Sequence, residues 1–123
     1  MKFGFDLDET ITPHPRGWAA ICNALLADGH EVHIITYRSP IYHKEQTIKE
    51  LESYGLKYTE LHMTGQKDVV CETWGIDMAF DDSAPYHYPN YQQYWVGVAL
   101  PKNDGVPSGY GECFYAANDK PEP

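Results

Sequence analysis

Apolar positions along the chain switch between short runs and helical stripes. Lys2 to Leu7 is a run with Phe3 and Phe5, suited to a buried strand. Trp18, Ile21, Cys22, Leu25 and Leu26 fall at i, i+3, i+4, i+7 and i+8, which predicts a helix over Arg16 to Asp28 with Gly29 as its C-terminal cap. Glu31 to Thr36 is rich in β-branched residues and predicts a second strand. Ser39 and Pro40 open a second helix as cap and first-turn residue, with Ile41, Ile48 and Leu51 as its buried stripe and Gly55 at its end. Lys57 to Met63 predicts a third strand, Gln66 to Trp74 a short helix closed by Gly75, and Ile76 to Phe80 a fourth strand. Tyr94 to Leu100 predicts a fifth.

Strand–helix alternation of this kind predicts a parallel sheet with right-handed crossovers and helices on both faces. The expected fold class is α/β, a three-layer arrangement around a mainly parallel five-stranded Rossmann-like sheet of order 5-4-1-2-3. After Pro101 the pattern changes. Asn103-Asp104-Gly105, Pro107 and Gly109 are turn signals, and Glu112 to Ala117 has the composition of an edge strand. The expectation is one domain over residues 1–123, with a core over 1–101 and an irregular C-terminal segment over 102–123.

Composition narrows the function classes. The 123 residues carry a net charge of -9, with 42% hydrophobic and 22% charged residues. That is the profile of a globular chain, and its sign weighs against long nucleic acids as partners. Three cysteines, Cys22, Cys71 and Cys113, show no paired spacing, which argues against a disulfide scaffold or a zinc site. No apolar stretch approaches the ~18 residues of a membrane span. Asp6 and Asp8 interrupt the place where a leader's apolar run would stand. The expected setting is the cytoplasm, away from membranes.

The chemistry concentrates at strand ends. Asp6 closes the first strand and Asp8 stands on the turn beyond it. Two acids that close repel unless a cation or a shared proton offsets them, so the pair asks for a metal, an acid/base role, or both. The second strand ends at Thr36 and the fourth at Asp81-Asp82, while Lys67 stands at a helix start between strands three and four. Lys44 and Lys57 are other lysines in reach, but Lys67 lies just before the Val69-Val70 helix and the fourth strand. In a parallel sheet these ends share one edge. A carboxylate there is a competent nucleophile toward phosphorus. A second acid can protonate the leaving oxygen and later activate water. A hydroxyl and an ammonium can hold phosphoryl oxygens, and Mg²⁺ on carboxylates can screen attacker from phosphate.

The chain resembles the haloacid dehalogenase (HAD) superfamily, and within it the magnesium-dependent phosphatases. The first motif of that family, Asp-x-Asp-x-Thr after an apolar strand, is matched by Asp6-Leu7-Asp8-Glu9-Thr10. A strand ending in Ser or Thr is matched by Val32-His33-Ile34-Ile35-Thr36. A lysine at a helix start is matched by Lys67, and a strand ending in paired acids by Met78-Ala79-Phe80-Asp81-Asp82. The resemblance covers Lys2 to about Ser83. It implies Asp6 as nucleophile and metal ligand, and Asp8 as general acid/base with its backbone carbonyl reaching the metal. It implies Thr36 and Lys67 on the phosphate, Asp81 as the main carboxylate ligand of strand four, and Asp82 bound directly or through water. Thr10 is expected to brace the loop. An acid at position 8 favours phosphate-ester hydrolysis over dehalogenation.

Many relatives insert a cap domain between the first and second motifs or between the second and third. Here neither interval leaves room, so the implied architecture is capless and the site open. Such a site implies a large substrate or a neighbouring subunit as cover, which makes a homo-oligomer a reasonable expectation. The loop Glu9 to Gly17 is a candidate flap, with His14, Arg16 and Trp18 as possible substrate contacts. Arg38 is a candidate phosphate ligand, and Tyr86-His87-Tyr88 a candidate aromatic rim. The expected activity is Mg²⁺-dependent hydrolysis of a phosphomonoester on a nucleotide, sugar phosphate or exposed phosphate end. The competing class is a HAD-like protein that binds metal, a phosphorylated ligand or a partner without turnover. Receiver domains of signalling proteins also combine acids, Thr and Lys, but in a different strand order.

Overall fold

In a computed structural model of the chain, residues 1–83 and 95–97 are described. The elements run β1 (Lys2–Phe5), a π-turn (Leu7–Ile11), α1 (Pro15–Ala27), β2 (Glu31–Thr36), α2 (Pro40–Ser53), β3 (Glu60–Met63), α3 (Lys67–Trp74), β4 (Met78–Asp81) and β5 (Trp95–Gly97). The fold is α/β. The strands are parallel, in the order β3-β2-β1-β4, with the three-residue β5 on the far side of β4. The chain starts in the middle of its sheet, builds outward through β2 and β3, then crosses to the other side of β1. The strand order therefore reverses between β1 and β4, the kind of crevice where open α/β sheets bind ligands.

Alternation along β2 divides the core between the two faces. Val32 and Ile34 join Phe5, Leu7, Cys22 and Leu51 in one buried cluster, under α1 and α2. Ile35 points the other way and joins Cys71, Ile76 and Ala79 beside α3. A strand buried on both faces is what a run rich in β-branched residues predicts. Gly4 lets Ile35 pack closely on this face: a Cβ there would stand 2.9 Å from Ile35 Cδ1, and that side-chain end would have to shift. Gly29, Gly55 and Gly75 all take positive φ at the ends of the three helices. At Gly75 the left-handed turn lets its own N–H bond back to the Cys71 carbonyl, a conformation other L-residues adopt at a cost.

The register of β1 against β4 matters most for function. Phe5 pairs with Phe80 across the strands, and their rings stack with centroids 5.2 Å apart. Trp18 from α1 meets Phe5 edge-on at 5.7 Å. The next backbone bond, from Asp6 N to the Phe80 carbonyl at 2.9 Å, continues the ladder to the sheet edge. An aromatic plug directly beneath Asp6 and Asp81 thus fixes how those two strand ends face each other.

Several expectations need correction. The first strand stops at Phe5 and not Leu7, because Leu7 opens the π-turn and is buried there. Ile21 is 47% exposed and Ile41 80% exposed, so neither belongs to a buried stripe. Ile41 sits in the first turn of α2, before the helix reaches the sheet, and Thr47 and Leu51 carry its buried face. Trp74, the last residue of α3, is 39% exposed. It packs on the ring pair His33–His62, whose Nδ1 and Nε2 lie 2.9 Å apart. Of the predicted fifth strand, Trp95–Gly97 pairs with β4; its remainder, Tyr86-His87-Tyr88, Cys113 and Glu112 to Ala117 lie outside the described residues. Among the described residues no helix is long and apolar enough to cross a membrane.

Candidate active site

The carboxyl ends of β1 and β4 carry Asp6 and Asp81, both buried. Lys67, the first residue of α3, is fully buried between them. Its Nζ donates to Asp6 Oδ1 at 2.6 Å and to Asp81 Oδ2 at 2.8 Å. The Tyr37 ring covers the ammonium, with its centroid 4.9 Å from Nζ. Burial pushes the Tyr37 hydroxyl up to about 12, so the ring stays neutral beside the cation. Thr10 completes the arrangement. Its hydroxyl donates to Asp6 Oδ2 at 2.9 Å, lies 3.3 Å from Asp82 Oδ1, and accepts from the Asp82 N–H at 3.1 Å.

Thr10 reaches back to Asp6 because of the backbone between them. Glu9 takes φ of 65°, a left-handed conformation that a non-glycine residue adopts only at some cost. That turn folds Leu7–Ile11 under the strand end, with Leu7, Thr10 and Ile11 buried. Thr10 and Ile11 of the expected Glu9–Gly17 flap are therefore packed into the core, while Glu9 is exposed. His14 and Arg16 are exposed beyond it, while Trp18 is turned inward.

The charge balance of the cluster is negative. Burial pulls the Lys67 ammonium down, but Asp6 and Asp81 outweigh that effect and hold it well above the usual lysine value. Asp6 is pushed well above the usual carboxylate range, by burial first and by the Asp81 charge second, against the opposing pull of Lys67. Both directions hold together because one ammonium is shared between two buried carboxylates, with Asp82 close by. The site lacks positive charge. Carboxylate oxygens of Asp6, Asp81 and Asp82 all lie within 4.8 Å of one another, and Asp82 is exposed at the rim. Three hard oxygen donors in need of positive charge are a set that could hold a metal cation. Asp8 contributes no carboxylate oxygen to this group.

Asp8 turns instead to Arg38. Arg38 Nε donates to Asp8 Oδ2 at 2.9 Å and Nη2 to Asp8 Oδ1 at 2.8 Å, a two-pronged pairing. Nη1 donates to Glu50 Oε1 at 2.7 Å and to Thr47 at 3.1 Å, and Nη2 reaches Glu50 Oε2 at 3.3 Å. All the N–H groups of a guanidinium are thereby engaged. Burial works against the Arg38 charge, but the bonds and charges of Asp8 and Glu50 leave its pKa raised. In this structure Arg38 is a fully buried partner of Asp8 and does not stand open to a phosphate. Thr36, at the end of β2, accepts from the Arg38 backbone N–H at 3.2 Å, which leaves its hydroxyl proton to donate elsewhere.

The sequence reasoning missed Glu50, Thr47 and Tyr37 as parts of the site and gave Thr10 a lesser role. Position offered one signal: Tyr37 follows Thr36 at a strand end. Between Asp8 and Thr36 the chain holds only the rest of the π-turn, α1 and β2; between Thr36 and Lys67 it holds only α2 and β3. Neither interval contains an inserted domain. Comparison with protein-family models, with curated proteins and with solved structures found no match to any of them.

Proposed function

We propose that this protein is a capless, Mg²⁺-dependent phosphatase of the haloacid dehalogenase type, acting through an aspartyl-phosphate at Asp6. The observation that carries the reading is the buried Asp6–Lys67–Asp81 arrangement, with the Asp82 carboxylate within 4.8 Å of its two acids. A five-stranded HAD-like sheet and a cytoplasmic setting belong to the same proposal. Two buried free thiols, Cys22 and Cys71, each pushed up to about 12 by burial, are compatible with that setting.

On this reading Asp6, Asp81 and Asp82 would hold Mg²⁺, which would supply the positive charge that lets an anionic carboxylate approach an anionic phosphate. An Asp6 oxygen attacks phosphorus while the bond from phosphorus to the leaving oxygen breaks. Asp8 gives that oxygen its proton. Water then attacks the phosphoryl group, Asp8 takes the water's proton, and the phosphorus–Asp6 bond breaks to release inorganic phosphate. Lys67 holds Asp6 in place and, with the Thr36 hydroxyl, meets the phosphoryl oxygens. The substrate class is a phosphorylated small molecule or an exposed phosphate end that reaches an uncapped site.

One observation favours a second reading. Asp8 is gripped by Arg38 through both oxygens, and neither oxygen joins the Asp6–Asp81–Asp82 group. A domain that binds Mg²⁺ and a phosphorylated ligand without turnover fits that grip. A panel of aryl, nucleotide and sugar phosphates, assayed with Mg²⁺ and again after chelation, separates the two. The phosphatase reading expects Mg²⁺-dependent phosphate release on at least one substrate. Mg²⁺ binding with no release on any would leave the binding role.

A further inference from the structure

We infer that Arg38 is a positioning residue for Asp8: its fork, anchored from behind by α2, aims the Asp8 carboxylate at the leaving-group oxygen. The inference rests on the phosphatase reading and deepens it.

The geometry argues for aim and against phosphate binding. Arg38 is 0% exposed, so a phosphate reaching the guanidinium would first have to displace a carboxylate. Both Asp8 oxygens are bonded to neighbouring nitrogens of one planar group, and this pairing fixes the plane of the carboxylate as well as its distance. The guanidinium is itself held by three bonds to α2, two from Glu50 and one from Thr47. Glu50 is fixed in turn, since the Tyr54 hydroxyl one turn later donates to its Oε2. A chain of contacts therefore runs from the body of α2 to a side chain on the turn after β1. Asp8 stands three residues beyond the end of β1 at Phe5, in a turn whose backbone departs from helical geometry at Asp8 and Glu9. A carboxylate on such a turn needs an external hold to keep one orientation. Glu50 also sets a second negative charge on the guanidinium, so Arg38 is shared and does not serve Asp8 alone.

The test uses leaving-group dependence. Arg38→Lys keeps the charge but replaces the fork with a single point. A proton delivered by Asp8 matters greatly for an alkyl leaving group and little for a nitrophenolate, which departs as a stable anion. Aimed acid catalysis is worth roughly 10²–10⁴-fold. Arg38→Lys is therefore expected to lower kcat for an alkyl phosphate about tenfold more than for p-nitrophenyl phosphate, with KM for both held within about threefold. Glu50→Gln loosens the same anchor from the far side and is expected to shift the ratio in the same direction by less; it serves if Arg38→Lys does not fold. A rise in KM on both substrates would assign Arg38 to the phosphate and overturn the proposal. Equal loss of kcat on both would make the network merely structural and overturn it too. A wild-type protein inert on both substrates overturns the phosphatase reading itself, and this inference with it.

Discussion

Asp6→Asn is expected to abolish phosphate release while raising stability in metal-free buffer. The loss of turnover should be on the order of 10⁴-fold or greater, as for removal of a covalent nucleophile. The stability gain comes from the same carboxylate. Asp6 is buried beside Asp81, and Lys67 must serve both. Its pKa is raised on folding, so keeping it ionised costs stability. That cost is absent below its ordinary value of 3.8 and is fully present once the pH exceeds its folded value. An amide carries no charge at any pH. The advantage of the Asn variant therefore grows as pH rises toward neutrality and disappears in acid. Mg²⁺ should reverse the order, because wild type gains a ligand-linked stabilisation that the variant has largely lost. Urea midpoints of both proteins, at acid and neutral pH and with and without Mg²⁺, check all of this. A variant less stable than wild type in chelator at neutral pH would show that Asp6 is not an electrostatic burden.

Lys67→Met should be the most damaging substitution to the fold. Methionine fills similar space and keeps the apolar stem, but it leaves two buried carboxylates without their ammonium. Breaking a buried ion pair from one side costs roughly 3–5 kcal/mol. A domain of this size holds about 5–15 kcal/mol in total, so the variant would be barely folded. Millimolar Mg²⁺ is expected to recover part of the loss, since a divalent cation offsets the same charge. Denaturation in urea with and without Mg²⁺ measures both effects. An unchanged midpoint in chelator would mean that Lys67 does not balance the cluster.

These effects explain which parts of the molecule were legible in its sequence. β2 was read with its observed bounds because Val32, Ile34 and Ile35 make it rich in β-branched residues, and the strand is buried on both faces. The helix ends were read from Gly29, Gly55 and Gly75, where the backbone needs left-handed turns. The order of polar strand ends was enough to nominate Asp6, Lys67 and Asp81, because a parallel sheet sends every strand end to one edge. The partners of Arg38 were not readable. Whether Thr47 and Glu50 face the sheet depends on how α2 rotates as it packs, and a weakly amphipathic helix does not announce that rotation. Ile41 misled for the same reason: it shares the spacing of Ile48 and Leu51 but lies before the helix meets the core. The turn at Glu9 was also hidden, since glutamate carries no signal for a left-handed conformation. Yet that turn brings Thr10 against Asp6 and leaves Asp8 facing Arg38.

The central claim is that Asp6 carries the phosphoryl group. The most direct measurement is acid quenching of the protein during turnover with Mg²⁺ and an aryl phosphate, followed by mass mapping of its peptides. The account predicts a phosphoryl increment on Asp6, absent without Mg²⁺ and absent from Asp6→Asn. Phosphate release at an undiminished rate by Asp6→Asn, or a phosphoryl group mapped to any other residue, would contradict it.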